Sequence, residues 1–169
     1  MDASHSFTDG LLELLPQLRA YGRALTRNTV DADDLVQETL TKALRYHDRF
    51  TPDTQLRAWL FTIMRNAHFT AVRKGTREAP GAVDCVSGSL SVDPVHDIMI
   101  QHREMLAAVT RLPVQYREML ILVVMLGESY ENAAAICNCA IGTVKSRVNR
   151  ARRMVIEELT ARPGQTSRT

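Results

Sequence analysis

Apolar residues recur along most of the chain at intervals of three and four, the spacing that gives a helix one buried face. Leu11, Leu15, Leu18 and Leu25 form a first stripe, widened by Leu12 and Leu14. Leu35, Val36, Leu40, Ala43 and Leu44 form a second, behind Asp31, a residue suited to N-capping. Residues 57–73 set Leu60, Ile63, Met64, Ala67, Ala71 and Val72 at helical spacing. No run alternates with period two long enough to predict a strand.

The pattern then breaks. From Ala79 to Asp97 the chain reads APGAVDCVSGSLSVDPVHD, with two Pro, two Gly, three Ser and no Lys or Arg. Gly and Pro punctuate it and its apolar residues keep no period, which is linker chemistry. Helical spacing resumes with Met105, Leu106, Val109 and Leu112. Pro113 suits the first turn of a helix running to Leu126. Gly127 stops it, Ser129 caps a short helix Tyr130–Cys137, and Glu131 sits where the helix dipole favours an acid. Asn138 ends that helix. A last one carries Val144, Val148, Ala151, Val155 and Leu159 before Pro163 and Gly164 end it. The expected fold is all-α, with two small helical domains (residues 1–78 and 103–162), a flexible linker (79–102) and a polar tail (163–169).

Composition removes several classes. With 45% hydrophobic residues the 169-residue chain can bury a core rather than stay disordered. The longest strongly apolar run, Met119 to Leu126, is too short for a bilayer span. The start, Met-Asp-Ala-Ser-His, has no basic region of the kind that opens a signal peptide. Three cysteines, an odd number, fit a reducing cytoplasm better than a disulfide framework. The five His (5, 47, 68, 96 and 102) are scattered, with no GxSxG or HExxH context. Cys137 and Cys139 could hold zinc only with two further ligands, and no CxxC or paired His accompanies them. Cys137 falls on the apolar side of its helix and reads as a packed thiol. No metal, cofactor or catalytic centre is expected.

Charge changes the picture once it is split. Lys and Arg number 21 and Asp and Glu 19, so the net charge is only +2. Residues 1–78 hold 11 basic and 10 acidic side chains, residues 79–102 none and 3, and residues 103–169 hold 10 and 6. Asp31, Asp33, Asp34 and Glu38 form an acidic block. Arg57, Arg65, Arg73, Lys74 and Arg77 form an acid-free basic stretch, and Lys145, Arg147, Arg150, Arg152 and Arg153 form a second. Basic blocks displace counterions from phosphates, whereas the acidic one suits a basic protein surface or helix capping.

The second basic block lies on the last helix, off its apolar stripe. Together with helix 130–137 and the turn at Asn138 it makes a helix-turn-helix pattern, whose second helix enters the major groove. Arg and Lys can read guanine, Asn can read adenine, and Ser can serve a base or a phosphate. Lys145, Ser146, Asn149 and Arg150 are so placed, with Arg147, Arg152 and Arg153 suited to phosphates.

The full string GTVKSRVNRAR, from Gly142, closely resembles the −35-reading helix of extracytoplasmic-function (ECF) sigma factors, subunits that start transcription by bacterial RNA polymerase. The resemblance implies −35 contacts from Thr143, Lys145, Ser146, Arg147, Asn149, Arg150 and Arg153. Asp31 to Arg45, DADDLVQETLTKALR, resembles the family's helix for the clamp of the polymerase largest subunit, which implies polymerase contacts from Asp33, Asp34, Gln37 and Glu38. Position 33 is Asp where many members carry Glu.

Five of the nine aromatic residues, Tyr46, Phe50, Trp59, Phe61 and Phe69, fall among arginines, as single-stranded DNA binding requires. The stretch RFTPDTQLRAWLFTIMRN (49–66) resembles the family's −10 region. There the loop from Phe50 to Gln55 and Asn66 would hold a flipped base, with Arg65, Arg73, Lys74 and Arg77 on the DNA backbone and Trp59 structural.

The resemblance spans about residues 8–160 and implies three partners: core polymerase, through its clamp and flap, promoter DNA, and a small helical anti-sigma factor. The Cys-x-Cys-Ala run at 137–140 resembles the general-stress-response (EcfG-type) subgroup, from which Asn132 (commonly an acid) and Asn138 (commonly Gly) depart. Two other readings compete: a sigma-mimicking anti-anti-sigma domain and a plain helix-turn-helix regulator. The first need not keep DNA-reading side chains, and the second needs no acidic polymerase-facing helix.

Overall fold

A computed structural model describes residues 3–51, 55–78 and 97–161, with side chains for 7–51, 55–75 and 103–161. Seven α-helices and no strand occur among them.

Helix α1 (Ala3–Thr26) packs against α2 (Thr29–Arg45) and α3 (Leu56–Glu78). Leu18, Tyr21, Leu60, Phe61 and Met64 are fully buried among them. At the α1–α2 crossing a Cβ on Gly22 would stand 3.3 Å from the Ala32 carbonyl oxygen, so a side chain there would press the helices apart. The cap of α2 is Asn28, whose Oδ1 accepts the Val30 N–H at 2.8 Å, not the expected Asp31. Asp31 lies instead in the first turn, where its charge still suits the dipole. A 3-10 turn (His47–Arg49) follows α2, and α3 outruns the expected 57–73 at both ends.

In the second half, α4 (Asp97–Arg111) starts inside the segment expected as linker. Residues 97–102 contain no Gly or Pro, and Ile, Met and Gln there accept helical backbone. Residues 79–96, the rest of that linker, lie outside the described residues, as does the tail from 162. Helix α5 (Val114–Leu120) is shorter than expected. Pro113 is its N-cap, and it loosens into a π turn (Ile121–Met125) in which the Leu126 N–H donates to the Ile121 carbonyl. The β-branched run Ile121, Val123, Val124 crowds an α-turn. Gly127 at φ +68° then lets the chain reverse.

Helix α6 (Tyr130–Cys137) and α7 (Ile141–Thr160) keep their expected places. Ser129 Oγ accepts the Asn132 N–H at 3.0 Å, and Asn138 closes α6 in the left-handed region at φ +49°. Met119, Leu122, Ile136, Val144 and Val148 form the second half's core. The two halves are packed together: α1 touches α5, α3 touches α6, and the apolar core is continuous between them.

Candidate polymerase and nucleic-acid interface

The acidic face comes from the register of α2. Ala32, Leu35, Val36, Thr39 and Ala43 are buried, so the 3.6-residue period turns Asp33, Asp34, Gln37 and Glu38 outward, and all four are exposed. Glu38 pairs with Lys42 at 2.6 Å and Asp33 stands 3.8 Å from Arg19, exposed pairs that contribute little. Asp31, Asp34 and Glu38 also rim an open groove of about 690 Å³ between the α1–α2 corner, α3 and α5, with Leu35, Phe69 and Val114 among its apolar walls.

The residues expected at the −10 element do not form one patch. Phe50 is half-buried against Trp59 (ring centroids 5.4 Å apart) and Phe7 (5.7 Å), and Trp59 packs on Phe7 in turn. That cluster braces the chain entering the loop, of which residues 52–54 lie outside the described residues. Asn66, Arg73 and Lys74 are exposed on α3. The Arg77 side chain lies outside the described residues. Arg65 is turned toward the second half. It lies 4.7 Å over the Phe69 ring and grips both oxygens of Glu118, at 3.3 and 3.4 Å.

On α7, Val144, Val148, Ala151 and Val155 are buried, while Lys145, Ser146, Asn149, Arg150 and Arg153 are exposed and Thr143 and Arg147 are half-buried. Arg150 lies 5.8 Å over the Tyr116 ring and Lys145 5.9 Å over that of Tyr130. Ser146 Oγ donates to the Thr143 carbonyl at 3.0 Å.

Sequence reasoning missed the charged groups where the halves meet. Arg117 is buried and donates to the carbonyls of Ala24 and Leu25 at the end of α1, and of Thr110 and Leu112 at the end of α4. Two negative helix ends thus converge on one guanidinium. Arg27 adds a bond to the Leu112 carbonyl at 2.7 Å. Burial, with Arg27 nearby, pushes Arg117 down to about 10, which leaves it protonated at neutral pH. Burial pushes the Glu118 carboxyl up, against the pull of Arg65 beside it. Glu128 meets Arg57 as an ion pair through Oε1, while its Oε2 accepts from Asn132 Nδ2 at 2.9 Å. Asn132 Nδ2 also donates to Gln55 at 2.7 Å. The buried Tyr21 hydroxyl has no hydrogen-bond partner among the described residues. The clue in the sequence was Arg117-Glu118 abutting the most apolar run of the chain, charges with nowhere to go but into a partner surface.

Cys137 is buried and Cys139 half-buried, both as free thiols. Among the described residues no helix is long and apolar enough to cross a membrane.

Residues 11–65 match the family model of the Sigma2 domain of PhyR, and residues 102–155 that of Sigma-70, region 4. The chain is 47% identical over 152 residues to the ECF RNA polymerase sigma factor EcfG of Rhodopseudomonas palustris, covering 90% of this chain and 84% of the relative. It is similar to the sigma factor RpoE of Bartonella quintana, solved in complex with the anti-sigma factor NepR, at 41% identity and a TM-score of 0.80. That match covers 92% of this chain and 97% of the other. The PhyRSL–NepR complex of Sphingomonas sp. Fr1 matches at 25% identity and a TM-score of 0.64, over 94% of each chain.

Proposed function

The chain belongs to the extracytoplasmic-function sigma factors of bacterial RNA polymerase, and we propose which of its surfaces do that work. The exposed acidic face of α2, Asp33, Asp34, Gln37 and Glu38, docks on the clamp of core polymerase in the cytoplasm. Phe50, Asn66, Arg65, Arg73, Lys74 and Arg77 hold the melted −10 strand. The exposed face of α7 (Lys145, Ser146, Asn149, Arg150 and Arg153, with Thr143 and Arg147 at its edge) reads the −35 duplex. The second half also meets the polymerase flap. Bond-making belongs to the polymerase; this subunit chooses the start site. Residues 1–78 and 103–162 are the two working domains. Each small contact can be weak, because tethering to one polymerase supplies effective concentration.

Control by a small helical anti-sigma factor, as in the relative solved with NepR, fits the acid-rimmed groove between the halves. The 47% identity to an EcfG sigma factor supports a place in the general stress response. The observation that carries the assignment of surfaces is the register of α7, which buries its aliphatic stripe and leaves Lys145, Ser146, Asn149, Arg150 and Arg153 outward. An intact set of this kind favours a sigma factor over a sigma mimic.

Run-off transcription with purified core polymerase tests the whole reading. Within it, Asp34→Arg places a cation against a basic clamp surface. Core affinity is expected to fall at least about tenfold, roughly 1.4 kcal/mol, with helix content unchanged. Unchanged core affinity would remove α2 from the polymerase interface.

A further inference from the structure

Arg150 is held differently from Arg57, Arg65 and Arg111, each of which is bound by a carboxylate, of Glu128, Glu118 and Glu158 in turn. Among the described residues no carboxylate pairs with Arg150. Its guanidinium lies instead over the Tyr116 ring, 5.8 Å from the centroid. The difference is chemical. A carboxylate occupies N–H donors, and a guanidinium so engaged has fewer left for a base. A ring attracts the cation through its face and leaves free the five donors, which lie in the guanidinium plane.

Tyr116 is itself well anchored. Its N–H donates to the Pro113 carbonyl at 3.0 Å in the first turn of α5, and the next residue, Arg117, is pinned inward on four carbonyls. The ring is half-buried against the core, so it forms a fixed shelf where α5 packs on α7. The pattern along α7 agrees. Lys145 also lies over a ring, that of Tyr130, whereas Arg147, Arg152 and Arg153, suited to phosphates, lie over none among the described residues. A phosphate contact tolerates a mobile side chain; a bidentate base contact needs a placed one.

We propose that Tyr116 is a positioning residue for −35 recognition: its ring holds the Arg150 guanidinium in place and leaves its N–H donors free for a guanine edge. This rests on the reading of Arg150 as a −35 contact. An Arg side chain carries much rotamer freedom, which a base contact must otherwise remove on binding. The ring removes part of it in the folded chain. A matched base pair gains from that order, and a mismatched one, which makes no bidentate contact, gains less. The ring therefore adds discrimination at one base pair rather than affinity for all DNA.

The test assembles the full chain with core polymerase and offers a promoter pool randomised over the −35 and −10 segments. Sequencing the bound fraction gives the preference at each base pair. Tyr116→Leu should lower the preference about fivefold at one −35 base pair, the same one that Arg150→Ala relaxes, and leave the −10 preferences as in the parent. Tyr116→Phe, with the same ring face and no hydroxyl, should keep the parent preference. A loss spread evenly over the −35 base pairs would overturn the proposal, since Tyr116 would then support the fold alone. So would a loss in Tyr116→Phe equal to that in Tyr116→Leu. With Arg150→Ala already in place, Tyr116→Leu should add no loss at that base pair, and a further fivefold loss there overturns the proposal.

A variant of nearly unchanged shape decides the matter even where Tyr116→Leu fails to fold. Tyr116→trifluorophenylalanine keeps the ring and drains charge from its face. It should lose the same preference relative to Tyr116→Phe, and equal preferences in the two overturn the proposal. Arg150→Ala separates the two levels. If it relaxes no −35 base pair, the reading of Arg150 fails and the proposal with it. If it relaxes one and neither Tyr116→Leu nor the fluorinated variant does, the positioning alone fails.

Discussion

Burial fixes the chemistry of Cys137. Packed on the core side of α6, its thiol is pushed up to about 12, chiefly by desolvation and then by Glu118 nearby. Only the thiolate attacks an alkylating reagent, so on the order of one molecule in ten thousand would be reactive at pH 8. Iodoacetamide at that pH should therefore modify Cys139 well before Cys137 in the folded chain, with both modified in denaturant. Peptide mass spectrometry reads this directly, and equal native rates would show that α6 opens. The helical spacing of Ala133, Ala134, Ile136 and Cys137 was enough to place this thiol inside. No comparable signal placed Arg65. Its pairing with Glu118 spans 53 residues and crosses from one half to the other, which nothing in its local run of basic neighbours records.

Elements with their own punctuation were readable one at a time. Ser129, Asn138 and the apolar spacing between them define α6 to the residue, because capping and left-handed closure are local events. Ser129→Ala should cost about 1 kcal/mol, since the Asn132 N–H at the end of a two-turn helix loses its acceptor. A thermal melt would register this as a drop of roughly 2–4 °C, and an unchanged melting temperature would mean that packing alone holds α6. The start of α2 was harder for the same local reason. Asn28, Thr29 and Asp31 are all competent caps within four residues, and only the geometry selects Asn28. The π turn at Ile121–Met125 had no sequence marker apart from β-branching. It depends on how Gly127 and Glu128 are drawn back, with the Glu128 N–H donating to the Leu122 carbonyl at 2.9 Å.

At the scale of the molecule, the near-neutral charge is a sum of surfaces that face different partners and of charges that face each other. Arg117 is the hub of the latter, since one side chain satisfies helix ends from both halves, α1 in the first and α4 in the second. Arg117→Met keeps the aliphatic stem but withdraws the guanidinium donors. It strands the Ala24, Leu25 and Thr110 carbonyls, leaves the Leu112 carbonyl with Arg27 alone, and removes a cation close to Glu118. Hydrogen bonds from a charged group contribute about 1.5–3 kcal/mol each, but stranded carbonyls regain water once the halves part. The net loss should therefore fall near 3–5 kcal/mol for the closed arrangement and much less within each half. Urea unfolding should then separate into two transitions, reported by Trp59 fluorescence for the first half and by far-ultraviolet dichroism for the whole, where the parent chain is expected to show one. Coincident transitions with an unchanged midpoint would mean that apolar contacts alone join the halves. A single transition shifted to lower urea would mean that neither half stands without the other.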